Sequence, residues 1–121
     1  MKAIILFAHG ARNPDWAQPI LAIRAAMLAR RPEVRVEAAF LEFIAPQLPE
    51  TIAALVADGH REITIVPMFM AQTGHTKRDL PTLLDAAKER HAGLLIQVAT
   101  PIGEAVSVVD AIADYALMEG A

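Results

Sequence analysis

Two histidines carry the first chemical signal in this 121-residue chain. His9 follows the apolar run Lys2-Ala3-Ile4-Ile5-Leu6-Phe7-Ala8 and opens the loop His9-Gly10-Ala11-Arg12-Asn13-Pro14. His75 follows Ile63-Thr64-Ile65-Val66-Pro67-Met68-Phe69-Met70 and lies in Gln72-Thr73-Gly74-His75-Thr76-Lys77-Arg78-Asp79. In each case a continuous apolar segment gives way to glycine and polar residues, the pattern of a buried strand ending in a loop. Two neutral imidazoles delivered to one edge of a sheet can share a metal ion or move a proton. For either histidine alone, a backbone-bonded or helix-capping imidazole is as good a reading. Their matched placement after two strands favours a joint site.

Glu42, in Phe40-Leu41-Glu42-Phe43, follows a third strand-like segment. It is either a surface glutamate or an oxygen donor and proton acceptor added to the two imidazoles. Arg12, Lys77 and Arg78 flank the histidines and can meet carboxylates or phosphates on a ligand, or stand as plain solvated charges. Gly10 and Gly74 allow a tight turn or the close approach of a large ligand. Neither the Walker spacing nor the dinucleotide fingerprint follows the first strand, so these glycines are not a phosphate cradle. His60 and His91 fall at expected helix ends and read as solvated, and Met68 and Met70 read as core rather than as thioether ligands.

These residues need a scaffold, and four apolar runs alternating with four helical patterns describe a parallel sheet wrapped by helices. The strands are expected at Lys2 to Ala8, Val34 to Phe40, Glu62 to Phe69 and Leu94 to Ala99. The first, third and fourth are almost continuous in Ile, Leu and Val, as strands buried on both faces are. The second alternates through Arg35 and Glu37 and belongs nearer an edge. The first helix is expected from Asp15-Trp16 to Arg30-Arg31-Pro32, with Ile20, Ile23, Met27 and Leu28 inward. The second follows Pro46 and Pro49, buries Ile52, Leu55 and Val56, and stops at Asp58-Gly59. The third starts at Asp79-Leu80-Pro81 and runs through Leu83, Leu84 and Ala87 toward Arg90-His91. The last runs from Glu104 to Met118 with Val106, Val109, Ile112 and Ala113 facing the core. Ligands of an open parallel sheet bind beyond the carboxyl ends of its strands, where both histidines then fall.

Composition narrows the classes. The length suits one domain over residues 1–121, and 55% apolar with 21% charged residues describes a compact globular protein. With no cysteine, thiolate nucleophiles and sulfur ligands are removed, and imidazole and carboxylate are the only strong metal donors. That usage fits a cytoplasmic protein, and the first apolar run is too short for a signal peptide or a membrane span. A net charge of −3, dispersed basic residues and six aromatic residues in all argue against nucleic acid.

The combination of His9-Gly10-Ala11-Arg12, Phe40-Leu41-Glu42, Pro67-Met68-Phe69-Met70, Gly74-His75 and Asp79-Leu80-Pro81 resembles the small class II tetrapyrrole chelatases of the CbiX and SirB type. The likeness covers nearly the whole chain. It implies a three-layer chelatase-like fold and insertion of a divalent metal into sirohydrochlorin. Cobalt is the first expectation, then iron or nickel, with the metal a substrate and no organic cofactor. It places metal binding and proton abstraction on His9 and His75, with Glu42 beside them and with Arg12, Gly74, Lys77 and Arg78 toward the substrate. It also implies a homodimer, because larger relatives form the cleft between two such halves. Ala11 departs from the serine common at that position of the family. A non-catalytic metal or tetrapyrrole carrier would use the same histidines. A histidine-phosphatase reading is weakened by Ala8, which stands where that chemistry needs an arginine.

Overall fold

The computed structural model describes residues 1–71 and 74–121, the side chain of His75 excepted. Four parallel strands form one sheet: β1 (Lys2–Ala8), β2 (Val36–Phe40), β3 (Glu62–Pro67) and β4 (Leu95–Val98), in the order β2-β1-β3-β4. Four α-helices alternate with them: α1 (Gln18–Arg30), α2 (Leu48–Ala57), α3 (Gly74–Arg90) and α4 (Val106–Gly120). The α/β class and the parallel sheet with helices on both faces are as the sequence implies. β1 pairs on both sides, Ile5 opposite Glu37 and Ile65, which explains its unbroken apolar run. β2 lies at an edge, in keeping with its alternation.

Two clusters make the core, one on each face of the sheet. On one face Ala3, Ile5, Phe7, Ile63 and Ile65 pack against Leu48, Ile52 and Leu55 of α2 and Leu80, Leu84 and Ala87 of α3. On the other, Leu6, Ala8, Val36, Ala38 and Phe40 meet Ile20 of α1, with Met27 and Leu28 half-buried at its margin. Ile23, expected inward, is 39% exposed instead. A 3-10 turn over Pro14–Ala17, capped by Asn13 Oδ1 on the Asp15 N–H at 3.0 Å, precedes α1 and displaces its expected start. Just before β2, Arg35 binds Asp58 at 2.8 Å and Glu37 at 3.1 Å, and these hydrogen bonds, the one to Asp58 foremost, hold its pKa above the usual guanidinium value.

Three further expectations about the elements fail. α3 begins at Gly74, five residues before Asp79, and carries Pro81 inside it. A proline cannot donate to the carbonyl four residues back, which makes it a natural first-turn residue. Here the preceding turn is anchored by Thr76, buried to 3% exposure, and packing outweighs the lost bond. β4 is not buried on both faces: Leu95 is 65% and Val98 39% exposed. α4 buries no residue, so Val106, Val109, Ile112 and Ala113 do not face this chain's core. The two failures share a cause, since α4 leaves the sheet instead of folding back across β4.

Candidate functional site

The strand order fixes where a site belongs. The chain leaves β1 toward β2 on one side, through α1, and leaves β3 toward β4 on the other, through α3. The carboxyl ends of the adjacent β1 and β3 therefore form the topological switch point, where diverging connections open a crevice. His9 directly follows β1, and α3, of which His75 is the second residue, follows β3.

Backbone hydrogen bonds bring the next segments against the end of β1. The Leu41 N–H donates to the Ala8 carbonyl at 2.9 Å, and the Glu42 N–H donates to the His9 carbonyl at 3.1 Å. On the other side the Met68 N–H donates to the Phe7 carbonyl at 2.8 Å. Gly10 makes the first approach possible: its φ is +96°, and a Cβ there would stand 1.9 Å from the Glu42 carbonyl oxygen. With that contact allowed, His9 Nε2 lies 3.1 Å from Glu42 Oε1, each side chain 44% exposed. The structure thus joins two of the three candidate reactive groups at the mouth of a cavity of about 370 Å³, walled by Gly10, Trp16, Phe40, Met68 and Phe69 beside His9. The wall is chiefly apolar, and the polar atoms converge at its rim, the usual make-up of a small-molecule site.

Larger hollows lie elsewhere: about 630 Å³ along β3 and β4, and about 550 Å³ against β2 between α1 and α2. Neither holds a histidine, so the chemistry of the lining, not volume, selects the site at His9.

The remaining candidates take their places around it. The Arg12 guanidinium carbon lies 5.4 Å from the centre of the Phe43 ring, within cation–π range. Lys77 and Arg78, expected on a loop, are exposed residues near the start of α3, whose N-terminal dipole adds to their attraction for anions. His75 also leaves the expected loop and sits in that first turn, while its side chain, with Gln72 and Thr73, lies outside the described residues. Gly74 opens α3, and a Cβ there would meet nothing among the described residues. His60 is half-buried, not solvated, its Nδ1 shielded without a hydrogen bond on the far side of the sheet. Among the described residues no group of three His, Cys, Asp or Glu side chains could hold a metal ion. The donors in place are His9 and Glu42, a nitrogen and an oxygen suited to cobalt, iron, nickel or zinc.

Two contributors were not read from the sequence. Gly103, after β4, donates its N–H to the Phe69 carbonyl at 3.0 Å, and a Cβ on it would fall 1.9 Å from the Met70 carbonyl oxygen. It holds the segment that leads from β3 into α3, and the Pro101-Ile102-Gly103 punctuation was the available signal. Phe43, with φ of +71°, is the other.

Compared with known families, residues 3–117 match the CbiX family model. The chain belongs to the CbiX family. A protein of Saccharolobus islandicus named sirohydrochlorin cobaltochelatase is 36% identical over 109 residues, 85% of this chain and 84% of that one. One of the same name from Methanococcus aeolicus is 36% identical over 84 residues, 69% of this chain and 59% of its own. The chain thus spans about three-fifths of the Methanococcus relatives it matches. Among solved structures, a CbiX protein of cobalamin biosynthesis from Marinobacter aquaeolei VT8 superposes with a TM-score of 0.85 at 26% identity, covering 98% of this chain and 97% of that one. The sirohydrochlorin chelatase SirB of Bacillus subtilis, in complex with cobalt, gives 0.77 at 27% identity, covering 99% of this chain but 51% of SirB.

Proposed function

We propose that this CbiX-family chain inserts a divalent metal, cobalt foremost and iron next, into sirohydrochlorin. The observation that carries the reading is the His9–Glu42 pair at the β1–β3 switch point, its partners 3.1 Å apart and open to a ligand. Insertion exchanges two pyrrole N–H protons for one metal ion, so the site must offer a ligand the metal can leave and a base the protons can reach. His9 Nε2, half-exposed beside Glu42, is such a ligand, and Glu42 is the adjacent proton acceptor. His75 supplies a second imidazole in this reading. The substrate is a polycarboxylate, and Arg12, Lys77, Arg78 and the α3 N-terminus oppose its charge on a chain whose own net charge is −3. No described helix is long and apolar enough to cross a membrane. We place the reaction in the cytoplasm, where a chain without disulfides loses nothing.

The homodimer belongs to the same proposal. α4 exposes an apolar arc in which Val106 is 77%, Ile112 45% and Tyr115 57% accessible, and Leu95 of β4 is uncovered as well. A monomer leaves such a stripe in water at a cost, whereas a second copy covers it. SirB, with about twice the length matched here, has chain enough for a second such unit. A solution mass near twice 13.1 kDa, falling to one copy in Ile112→Asp, supports the dimer, and a wild-type monomer refutes it.

Turnover separates enzyme from carrier. Protein at one-tenth of the sirohydrochlorin concentration, with excess Co²⁺, is expected to hold the rate above the uncatalysed reaction through many equivalents. Acceleration that ends after one equivalent per protein assigns the carrier role and overturns the chelatase.

A further inference from the structure

Phe43 is the one non-glycine residue with positive φ among the described residues, at +71°. The Ile44 N–H donates to the Glu42 carbonyl at 2.9 Å across it, which makes Glu42-Phe43-Ile44 a γ-turn of the strained, positive-φ form. A bulky L residue is disfavoured there, and glycine would adopt the turn more easily. Burial does not repay the strain, because Phe43 is 55% exposed. Strain held without a packing return at the edge of a reactive site points to use by a ligand.

The turn does two things at once. It carries the Glu42 carboxylate that meets His9, and the very next side chain is a flat apolar ring left 55% exposed. Arg12, from the loop after β1, lies over that ring at 5.4 Å, tying the two loops that flank His9. An aromatic face next to a guanidinium matches a ligand that is itself flat, conjugated and edged with carboxylates. We propose that Phe43 is a substrate-positioning residue, a stacking platform for the tetrapyrrole ring, with Arg12 meeting a peripheral carboxylate. This inference rests on the sirohydrochlorin reading above.

The strain makes the test two-sided. Phe43→Gly relieves the turn, so the variant is expected to melt no lower than wild type, while binding metal-free sirohydrochlorin about tenfold more weakly. The single tryptophan, Trp16, lies 69% exposed beside the His9 cavity, and quenching of its fluorescence reports that binding. KM is expected to rise with Kd while kcat stays within threefold, the signature of lost ground-state binding. Phe43→Tyr is expected to bind within twofold of wild type. A Phe43→Gly protein with unchanged Kd and KM overturns the platform while leaving the chelatase standing, and so does a Phe43→Tyr protein as weak as the glycine variant. A wild type that does not bind sirohydrochlorin overturns both.

Discussion

Gly10→Ala tests whether the His9–Glu42 geometry is what the site depends on. The added Cβ would meet the Glu42 carbonyl oxygen at 1.9 Å, where ordinary contact begins at 3.4 Å, so the two loops must part by about 1.5 Å. Both atoms are fixed to backbone, and no side-chain rotation relieves the clash. The separation breaks the bond from the Glu42 N–H to the His9 carbonyl, about 1 kcal/mol. Alanine at φ +96° adds roughly 1–2 kcal/mol of strain. A loss of about 2–3 kcal/mol lowers the melting temperature by roughly 10 °C for a chain of this size. The catalytic effect is larger in proportion, since a misplacement of about 1 Å costs on the order of 100-fold in rate. Thermal melts followed by circular dichroism, and initial rates of cobalt insertion well below the melt, measure the two effects. Turnover within threefold of wild type, with a melt shifted less than about 2 °C, would refute the argument that glycine is required for the approach of Glu42 to His9.

Gly103→Ala is expected to slow metallation at least tenfold and to destabilise by about 1–3 kcal/mol, because its Cβ cannot coexist with the Met70 carbonyl and the segment entering α3 must move. Unchanged urea unfolding and unchanged rates would count against that packing. His75→Ala is expected to abolish metallation while melting within about 3 °C of wild type, alanine being the better helix former in the first turn of α3. Retained turnover removes His75 from the site. Glu42→Gln keeps the shape but not the charge beside His9 and is expected to lower kcat about 10- to 100-fold. Equal kcat in the two proteins assigns Glu42 no role in proton transfer.

The sheet and the first half of the site were legible because they depend on local pattern. β1 is apolar from Ala3 to Ala8, with strands flanking it on both sides, and the switch from Ala8 to His9-Gly10 marked its end and the candidate residue that follows. Gly10 was read as allowing a tight turn or the close approach of a large ligand, whereas what approaches it is the chain's own Glu42 carbonyl. The start of α3 was misplaced because Pro81 carries a strong local signal for a first turn, and only the buried Thr76 one turn earlier reveals the competing packing. The apolar stripe of α4 was read as a core-packing face, and α4 buries no residue. A helical period reports that a face is apolar and not which surface covers it, so Val109 and Ile112 were assigned to a core they do not touch. The same holds for Leu95: an edge strand without its helix has the composition of a buried one. The pairing of Phe43 with Arg12 is a contact between loops that follow different strands, and no spacing in the sequence encodes it.

The most direct test of the account is the initial rate of the absorbance change when Co²⁺ is added to sirohydrochlorin, measured over a series of protein concentrations beside His9→Ala. The account predicts a rate above the uncatalysed reaction that rises in proportion to wild-type protein and falls to the uncatalysed value in His9→Ala. No acceleration by wild type with cobalt, iron or nickel, or equal acceleration by His9→Ala, would contradict it.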